Sequence, residues 1–516
     1  MTESVPLPPL LVVTLPGRTA EELRADLGEA ARAGADLVEI RLDRLSPGEF
    51  TRLERVHDLP LLHPWIPAIG TLRSRAEGGE GPDDPATRAR ILQRALELFP
   101  FSFLDLEFSR DGGLKDNFRQ DGGRPLSLIG STHFPGPVPV GSVLSRLEET
   151  LGSFDVAKVV LPADGRYLVE ELLPALHPFK DRPYVVHTVG GLGSVLRVLA
   201  RRLGMEWVFG TLPEGPPGRA THRAVEPAQI PSDRLRRYLD APGDCPWYGV
   251  VGRPLGHTLS PYYQNLFFEA TELCGLYVPL EPSASDDLPG LLRALRPYGL
   301  AGVNVTRPFK TQAAALAESA DEDVELSGAA NTLLLPPTGP IEGLNTDVQA
   351  LRRRLEEGEQ EGLWDGGRML VVGTGGAARA AILAGLGASA RVLVLSRSPE
   401  RASALAAEFP SEAVRPAAPE TLTPFPLVVH ATPAGQTAEP GTFPPLAPAL
   451  GKGSWLLDLV YRPLRTQLKD WANAVGACYE DGTRILLYQA RASFERFTGR
   501  PLSDATFGAL LPEASR

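Results

Sequence analysis

Eight short hydrophobic runs recur through the first 215 residues and are separated by polar segments. They begin around Leu11, Leu37, Ala68, Phe103, Leu126, Val156, Tyr184 and Trp207. Runs of this length that are rich in β-branched and aromatic residues predict strands, and segments such as TAEELRADLGEAARAG between them predict helices. This count and alternation predict an α/β fold that begins with a (β/α)8 TIM barrel.

The pattern changes twice after the barrel. Residues 226–246 are polar and punctuated by proline, which predicts a helix-bearing linker. Alternation of strands and helices then resumes, and RMLVVGTGGAARAAILAGLGASARVLVLSRS predicts a strand, a glycine-rich turn, a helix and a strand, as in a Rossmann-type domain. We expect a barrel over 1–228, a linker over 229–245, an α/β substrate domain over 246–347, a Rossmann-type domain over 348–480, and C-terminal helices over 481–516 that return to the substrate domain.

Composition narrows the possible partners. The 516 residues carry a net charge of -11, which provides no large positive field and argues against a nucleic-acid partner. The N-terminal MTESVPLPPL lacks a basic region, and LLVVTL is too short to be a signal or a membrane span. We therefore expect a cytoplasmic protein that acts on small molecules.

The cysteines and lysines are few. Cys245, Cys274 and Cys478 form no CxxC pair, so neither a disulfide framework nor a structural zinc is expected. Only six of the 52 basic residues are lysine. Because a guanidinium stays protonated, a retained lysine is a modest indication of amine chemistry.

Charged residues follow or interrupt several barrel strands. They are Glu39, Arg41, Arg73, Glu77, His133 and Lys158. Catalytic groups of such barrels gather at the carboxyl ends of the strands. Lys158 lies inside the apolar segment AKVVL, where burial is expected to lower its pKa and yield a nucleophilic amine. A lysine that extends its ammonium to solvent and charged groups exposed at the surface are the alternatives.

The first 225 residues or so resemble the type I 3-dehydroquinate dehydratases. The matching segments are VEIRLD, TLRSRAEGGE, LDLEF, STHF, DVAKVVLP and VGGLGSVLR. The resemblance implies that Lys158 forms an iminium with a substrate ketone, that His133 moves the protons, and that Glu77 orients His133. It also implies that Glu39, Arg41 and Arg73 bind hydroxyls or balance charge, and that Arg197 binds a carboxylate.

The sequence departs from that family in three places. Gly215-Pro216-Pro217-Gly218-Arg219 replaces the usual Ser-Ala-Pro-Gly-Gln, so Arg219 is a candidate replacement for carboxylate binding. Leu196 replaces a serine, and Thr188-Val189-Gly190 replaces the usual SMG. These changes predict altered substrate affinity, because the proposed lysine and histidine are retained.

The glycine-rich turn predicts a dinucleotide site. Gly373, Gly375, Gly376 and Ala377 lie between an apolar strand and an alanine-rich helix, where a pyrophosphate would accept backbone N–H donors. The next strand ends at Ser396-Arg397-Ser398, with Arg401 one turn later. Arginine here favours the 2′-phosphate of NADP, and a pair of arginines exposed to solvent is the alternative.

Residues 248–511 resemble the shikimate dehydrogenases. The segments are VVGRPLGHTLSP, GVNVTRPFK, GAANT, GLNTD, HATPAG, DLVYRPLRT and DGTRILLYQARASFERFTG. The resemblance implies a catalytic pair of Lys310 and Asp347. Substrate-binding residues would be Thr258, Ser260, Asn304, Thr306, Asn331, Tyr461 and Gln489, and Thr432 would lie beside the cofactor. Thr258, His430 and Ile485 replace a usual serine, asparagine and methionine.

The two resemblances together imply a bifunctional enzyme that dehydrates 3-dehydroquinate and then reduces 3-dehydroshikimate to shikimate with NADPH. Three alternatives stay open: a barrel without catalysis, a regulatory protein that senses metabolites, and a dehydrogenase that prefers quinate. No metal is expected, and the oligomeric state is left open.

Overall fold

A computed structural model describes residues 8–45, 66–119, 126–214, 229–256, 258–284, 286–435, 446–462 and 467–510. The chain divides into two compact units. The first contains Met1–Tyr248 with Cys274–Leu300, and the second contains Gly249–Leu273 with Ala301–Arg516.

Eight parallel strands build the first unit, as predicted. They are β1 (Leu10–Leu15), β2 (Leu37–Arg41), β3 (Ala68–Thr71), β4 (Phe103–Glu107), β5 (Ser127–His133), β6 (Val156–Pro162), β7 (Tyr184–Val189) and β8 (Trp207–Thr211). Their order is β7-β6-β5-β4-β3-β2-β1-β8. The Glu206 N–H donates to the Tyr184 carbonyl at 3.0 Å and brings the two end strands together. The expected TIM barrel is confirmed.

Helices lie between these strands and, in the first unit, also after the last of them. Their bounds are Ala20–Arg32, Pro85–Leu98, Phe108–Asp111, Lys115–Arg119, Val140–Leu151, Leu173–Ala175, Ser194–Leu203, Ser232–Asp240 and Leu288–Leu295, with a π-helix over Tyr167–Leu172. Thr19 caps the first helix and Glu22 returns a hydrogen bond to the cap. The segment predicted as a linker contains the helix Ser232–Asp240 and a short strand, β9 (Ile230–Pro231), that pairs with β8.

The inward face of the barrel changes from apolar to polar along the strands. The apolar residues form one buried cluster: Val12, Leu37, Ile69, Ile129, Val156, Val185, Trp207 and Phe209. Side chains two residues apart on a strand share a face. The inward positions that follow six of these residues are therefore Thr14, Glu39, Thr71, Ser131, Lys158 and His187. A dry apolar layer thus lies beneath a polar layer toward the carboxyl ends of the strands.

The cysteine expectation was wrong. Cys245 and Cys274 form a disulfide with their Cα atoms 5.8 Å apart. Each precedes by two residues a strand, β10 (Trp247–Val251) or β11 (Leu276–Leu280), and these strands are neighbours. Because the two cysteines precede neighbouring strands by the same distance, the pairing of these strands is accompanied by the contact of two cysteines 29 residues apart. Among the described residues, Cys478 is the one free cysteine, and it is exposed.

Two six-stranded sheets follow the barrel. The first has the order β11-β10-β12-β14-β15-β13 and the second, which is parallel, the order β18-β17-β16-β19-β20-β21. Their remaining strands are β12 (Leu300–Val305), β13 (Ser319–Ala320), β14 (Thr332–Leu334), β15 (Glu342–Leu344), β16 (Arg368–Val372), β17 (Arg391–Leu395), β18 (Val414–Pro416), β19 (Leu427–His430), β20 (Trp455–Asp458) and β21 (Cys478–Asp481).

The second unit contains the helices Ser260–Ala270, Lys310–Leu316, Glu322–Ser327, Thr346–Gln360, Gly376–Gly387, Pro399–Ala406, Gln467–Val475, Thr483–Thr498 and Asp504–Leu510. The predicted strand, turn, helix and strand are confirmed as β16, a glycine turn, Gly376–Gly387 and β17. Gly373 in this turn has φ +131°, and a Cβ there would lie 2.7 Å from the Ala431 carbonyl oxygen. Only glycine fits this position without strain.

The order of the parallel sheet reverses at β16, which lies between β17 and β19. Ligands of open α/β sheets bind at the carboxyl ends of the strands beside such a reversal. Within the described parts of the chain, no helix is long and apolar enough to cross a membrane.

Candidate active sites

Lys158 lies inside the barrel between two carboxylates. Its Nζ donates to Asp105 Oδ2 at 2.9 Å and to Glu39 Oε1 at 3.3 Å, and it lies 4.4 Å from the centre of the Phe209 ring. Only 6% of the lysine is exposed. Burial alone would lower the pKa of Lys158, but Asp105 and Glu39 outweigh it and raise the pKa above its ordinary value. The expected low pKa was therefore wrong, because the carboxylates stabilise the ammonium.

Glu39 is held as a carboxylate. The hydroxyls of Thr14 and Thr71 donate to its two oxygens at 2.8 and 2.9 Å. Burial would raise its pKa, but Lys158, Arg41 and the two hydroxyls lower it to about 2. Glu39 thus remains charged and fixed beside the lysine.

His133 is paired with Glu77, as the sequence predicted. Its Nδ1 lies 2.9 Å from Glu77 Oε2, and its backbone N–H donates to the same oxygen at 3.0 Å. Burial, with the charges of Arg73 and Lys158, holds the pKa of His133 well below its usual value. The imidazole is neutral at pH 7 and able to accept a proton. Burial and the neighbouring Glu107 raise the pKa of Glu77 to about 7.

The barrel arginines are engaged with nearby acceptors. Arg41 forms a bidentate pair with Asp43 at 2.7 and 2.8 Å, and Arg73 Nε donates to the Glu77 carbonyl at 2.7 Å. Arg197 donates to the carbonyls of Thr188 and Gly193 at the end of β7. Arg219 and the loop 215–219 lie outside the described residues.

Sequence reasoning missed three inward-facing groups of this site. Asp105 and Glu107 alternate along β4 (FLDLE), and His187 lies on β7, paired in register with Val160 of β6. All three are buried. The signal was present, since a charged or imidazole side chain at every second position of a hydrophobic strand faces the same interior as Lys158.

The predicted residues of the second unit line one cleft of about 1020 Å³. They are Thr258, Ser260, Asn304, Thr306, Lys310, Asn331, Asp347, Tyr461, Gln489, Gly373, Gly375, Gly376, Ala377, Ser396, Arg397, Ser398, Arg401 and Thr432. Lys310 Nζ donates to Asp347 Oδ2 at 2.5 Å. The structure therefore brings together every residue predicted for this half of the chain.

Hydrogen-bonded amides line the same cleft as Lys310. Asn304 donates to the Thr332 hydroxyl at 2.9 Å, and Asn331 donates to the Thr346 hydroxyl at 2.9 Å. The Thr346 N–H returns a bond to Asn331 Oδ1 at 2.7 Å. Gln489 donates to the Leu486 carbonyl at 3.0 Å. These buried amides are fixed before a ligand binds, which favours discrimination by hydroxyl pattern.

Three hydroxyl side chains, of Thr258, Ser260 and Tyr461, also line the cleft. Thr258 donates to Ser260 Oγ at 3.3 Å. The phenol of Tyr461 hydrogen-bonds with Thr258, and burial raises the pKa of this phenol. Tyr461 therefore stays protonated at neutral pH.

The dinucleotide end of the cleft adjoins Lys310. A Cβ added at Gly376 would lie 2.9 Å from Lys310 Cδ, so the first turn of Gly376–Gly387 packs against the lysine stem. Arg397 and Arg401 are exposed at the end of β17. Ser398 caps the following helix and donates to Glu400 at 2.7 Å.

His430 supports the cofactor side of this cleft. Its Nδ1 lies 2.8 Å from Asp458 Oδ1 and its Nε2 lies 2.6 Å from the hydroxyl of Thr432, which lines the cleft. The replacement of asparagine by His430 therefore fixes the hydroxyl of Thr432 through a buried carboxylate. No cluster of potential metal ligands was found among the residues that the structure describes.

Comparison with known proteins finds family matches in both units. A family model described as type I 3-dehydroquinase matches residues 11–244, and one described as the shikimate dehydrogenase substrate binding domain matches residues 250–333. The shikimate dehydrogenase (NADP(+)) of Halobacterium salinarum is 38% identical over 265 residues, which span 51% of this chain and 97% of that protein. The chain belongs to the shikimate dehydrogenase family. Most of its first half matches the type I 3-dehydroquinase family model.

Two of the similar proteins match nearly the whole length of this chain. The bifunctional 3-dehydroquinate dehydratase/shikimate dehydrogenase, chloroplastic, of Arabidopsis thaliana is 26% identical over 519 residues, with 96% of this chain and 83% of that protein covered. A solved structure of dehydroquinate dehydratase and shikimate dehydrogenase from S. pombe covers 97% of this chain and 98% of its own, with 22% identity and a TM-score of 0.43.

Glu77 provides a test of the barrel electrostatics. Replacing Glu107→Gln removes a like charge and keeps an oxygen for the Ser74 N–H, so the pKa of Glu77 should fall from about 7 while staying above its ordinary value, because burial remains. Carbon-13 NMR titration of the Glu77 carboxyl measures this pKa. Glu80→Gln, at an exposed carboxylate, should leave it unchanged. An unaltered midpoint in Glu107→Gln would refute the account.

Proposed function

We propose that the chain dehydrates 3-dehydroquinate to 3-dehydroshikimate in its barrel and reduces that product to shikimate with NADPH in its second unit. The observation that carries the proposal is the placement of Lys158 and Lys310. Lysine is scarce in this chain, yet each of the two candidate sites contains a lysine whose ammonium donates a hydrogen bond to a carboxylate. The two resemblances also join, since the product of one reaction is the substrate of the next.

In the barrel, Lys158 forms an iminium with the ketone of 3-dehydroquinate. Asp105 accepts a proton from the ammonium, and the resulting amine attacks the carbonyl carbon. The iminium carries a positive charge where the ammonium was. Asp105 and Glu39 therefore stabilise the intermediate through the same electrostatic interaction that stabilises the resting lysine.

His133 serves the elimination. Its neutral imidazole removes a proton from the carbon next to the iminium and then protonates the departing hydroxyl, so that a C–H and a C–O bond break as a C=C bond forms. The Glu77 carboxylate orients the ring by accepting the Nδ1 proton. Water then hydrolyses the iminium and releases Lys158. Glu39, Arg41, Arg73 and Arg197 are the proposed binding and charge-balancing groups, with Arg219 as an additional candidate.

In the second unit, Lys310 donates the proton that the carbonyl oxygen of 3-dehydroshikimate gains on reduction. Asp347 holds the ammonium in place. Thr258, Ser260 and Tyr461 would bind the carboxylate through hydroxyl donors, while Asn304, Thr306, Asn331 and Gln489 would bind ring hydroxyls.

The residues present fit NADP, which supplies the hydride when bound. Gly373 to Ala377 would hold the pyrophosphate at the start of the helix Gly376–Gly387. The guanidinium groups of Arg397 and Arg401, with Ser396 and Ser398, would bind the 2′-phosphate. Thr432 would lie beside the cofactor, held by His430.

The predicted domain boundaries and a cytoplasmic location belong to the same proposal. Its partners are small-molecule substrates rather than nucleic acid or membranes, which the net charge of -11 supports.

Lysine substitution tests the two activities separately. Lys158→Ala should abolish dehydration and leave NADPH oxidation by 3-dehydroshikimate unchanged. Lys310→Ala should lower that reduction by about 10² to 10⁴-fold, since it removes a general acid, and leave dehydration unchanged. Assays of each half-reaction measure both effects. The exposed Lys452→Ala is the control and should leave both rates unchanged. Full dehydration by Lys158→Ala would contradict the proposal.

Arginine substitution tests the cofactor. Arg397→Ala removes a charge-assisted contact with the 2′-phosphate and should raise KM for NADPH by about ten- to hundredfold, with KM for NADH unchanged. Arg391 is exposed at the opposite end of β17, and Arg391→Ala should leave KM for NADPH and KM for NADH unchanged. Equal effects on both cofactors would show that Arg397 does not bind the 2′-phosphate.

A further inference from the structure

Two histidines flank the strand of the nucleophilic lysine. His133 on β5 and His187 on β7 are both paired in register with Val160 on β6, two residues beyond Lys158. Residues paired in a parallel ladder point to the same face, and Val160 shares its face with Lys158. The two imidazoles therefore enter the barrel interior on either side of the lysine.

His187 contacts the same aromatic ring as the lysine. Its imidazole meets Phe209 edge-on at 5.7 Å between ring centres, and the Lys158 ammonium lies over that ring at 4.4 Å. Burial, followed by the charges of Arg197 and Lys158, holds the pKa of His187 well below its usual value. The ring is neutral at pH 7 and carries one donor and one acceptor.

The ring nitrogens of His187 are poorly satisfied within the fold. The residue is 2% exposed, and neither ring nitrogen forms a well-aligned hydrogen bond with any described residue. A backbone interaction with Val186 raises the pKa of the ring, but burial and the charges of Arg197 and Lys158 outweigh it. Burying a polar group without a hydrogen bond costs free energy. The residue that lies beside His187 in the strand register is the apolar Val160. Structural stability alone would favour an apolar side chain here, so the imidazole points to a ligand.

His133 has less capacity for proton transfer. Its Nδ1 is bonded to Glu77, which leaves Nε2 for the proton on carbon. Iminium formation requires proton transfers of its own. The ammonium and the ketone become an iminium and water, so two ammonium protons end on the departing oxygen. Asp105 is placed to take the first, and the second must leave nitrogen after the C–N bond has formed.

We propose that His187 is a second catalytic imidazole of the barrel and carries the proton from Lys158 nitrogen to the oxygen of the attacked carbonyl. The inference rests on the proposed dehydratase reaction. As the C–N bond forms, the carbonyl π pair moves to oxygen, the nitrogen becomes acidic and the oxygen basic. His187 accepts the nitrogen proton and gives it to the oxygen. The proton held by Asp105 completes the water as the C–O bond breaks, and the nitrogen lone pair forms the iminium.

The test separates iminium formation from elimination. Full-length wild type, His187→Leu and His187→Gln are mixed with 3-dehydroquinate, quenched with borohydride over a time course, and the adduct on Lys158 is measured by mass spectrometry. Leucine has a similar size without polar atoms. Glutamine retains hydrogen bonding but has no basic nitrogen. Both variants should label about 10² to 10⁴-fold more slowly than wild type, the range of general acid–base catalysis, while reaching the same final extent.

Two further measurements exclude a merely structural effect. Deuterium at the position that His133 deprotonates should slow wild type and have less effect in the His187 variants, because iminium formation then limits the rate. Added imidazole should accelerate labelling in His187→Ala. Full final labelling shows that the barrel is folded, and unchanged reduction of 3-dehydroshikimate shows that the second unit is intact.

The outcomes are distinguishable. Wild-type labelling rates in both variants would overturn the role of His187, as would a wild-type rate in His187→Gln alone, which would assign the residue to hydrogen bonding. Failure of imidazole to accelerate His187→Ala would also overturn it. Absence of any adduct on wild-type Lys158 would instead overturn the proposed dehydratase function.

Discussion

The compensation of one buried ammonium by two carboxylates organises the barrel site. Lys158 is almost fully enclosed, and an unpaired charge at that depth would cost several kcal/mol. Asp105 and Glu39 remove that cost, and the hydroxyls of Thr14 and Thr71 in turn hold Glu39. The neutral state of both histidines depends partly on the same ammonium. The same arrangement of Lys158 with Asp105 and Glu39 thus keeps the lysine protonated until it reacts and helps to keep both imidazoles neutral, so that they can act as bases.

The second unit uses a lysine differently. Lys310 and Asp347 lie at an open cleft rather than in a sealed interior, and their side chains are 18% and 19% exposed. A proton donor must exchange its proton after each turnover, which partial exposure allows. A lysine that forms a covalent bond instead gains from an enclosure that excludes water. The two environments match the two proposed tasks.

Local patterns were enough to predict much of this structure. The eight strands and the glycine turn follow from hydrophobic periodicity and local motifs, and the Lys310–Asp347 pair was implied by the resemblance to the shikimate dehydrogenases. The direction of the Lys158 pKa shift did not follow, because it depends on Asp105 and Glu39, which are 53 and 119 residues away. The Cys245–Cys274 disulfide was missed because pairing depends on which strands become neighbours. The alternation along β7 indicates that His187 faces the barrel interior, but the sequence does not show that its ring nitrogens lack a well-aligned partner there.

The most direct test of the account is the pKa of Lys158 with and without its largest favourable interaction. With only six lysines, carbon-13 labelling at lysine Cε gives a spectrum simple enough to follow one ammonium through a pH titration. The account predicts a pKa above the ordinary lysine value in the wild type and a clear fall in Asp105→Asn, because burial would then be opposed mainly by Glu39. An equal pKa in the two proteins would contradict it.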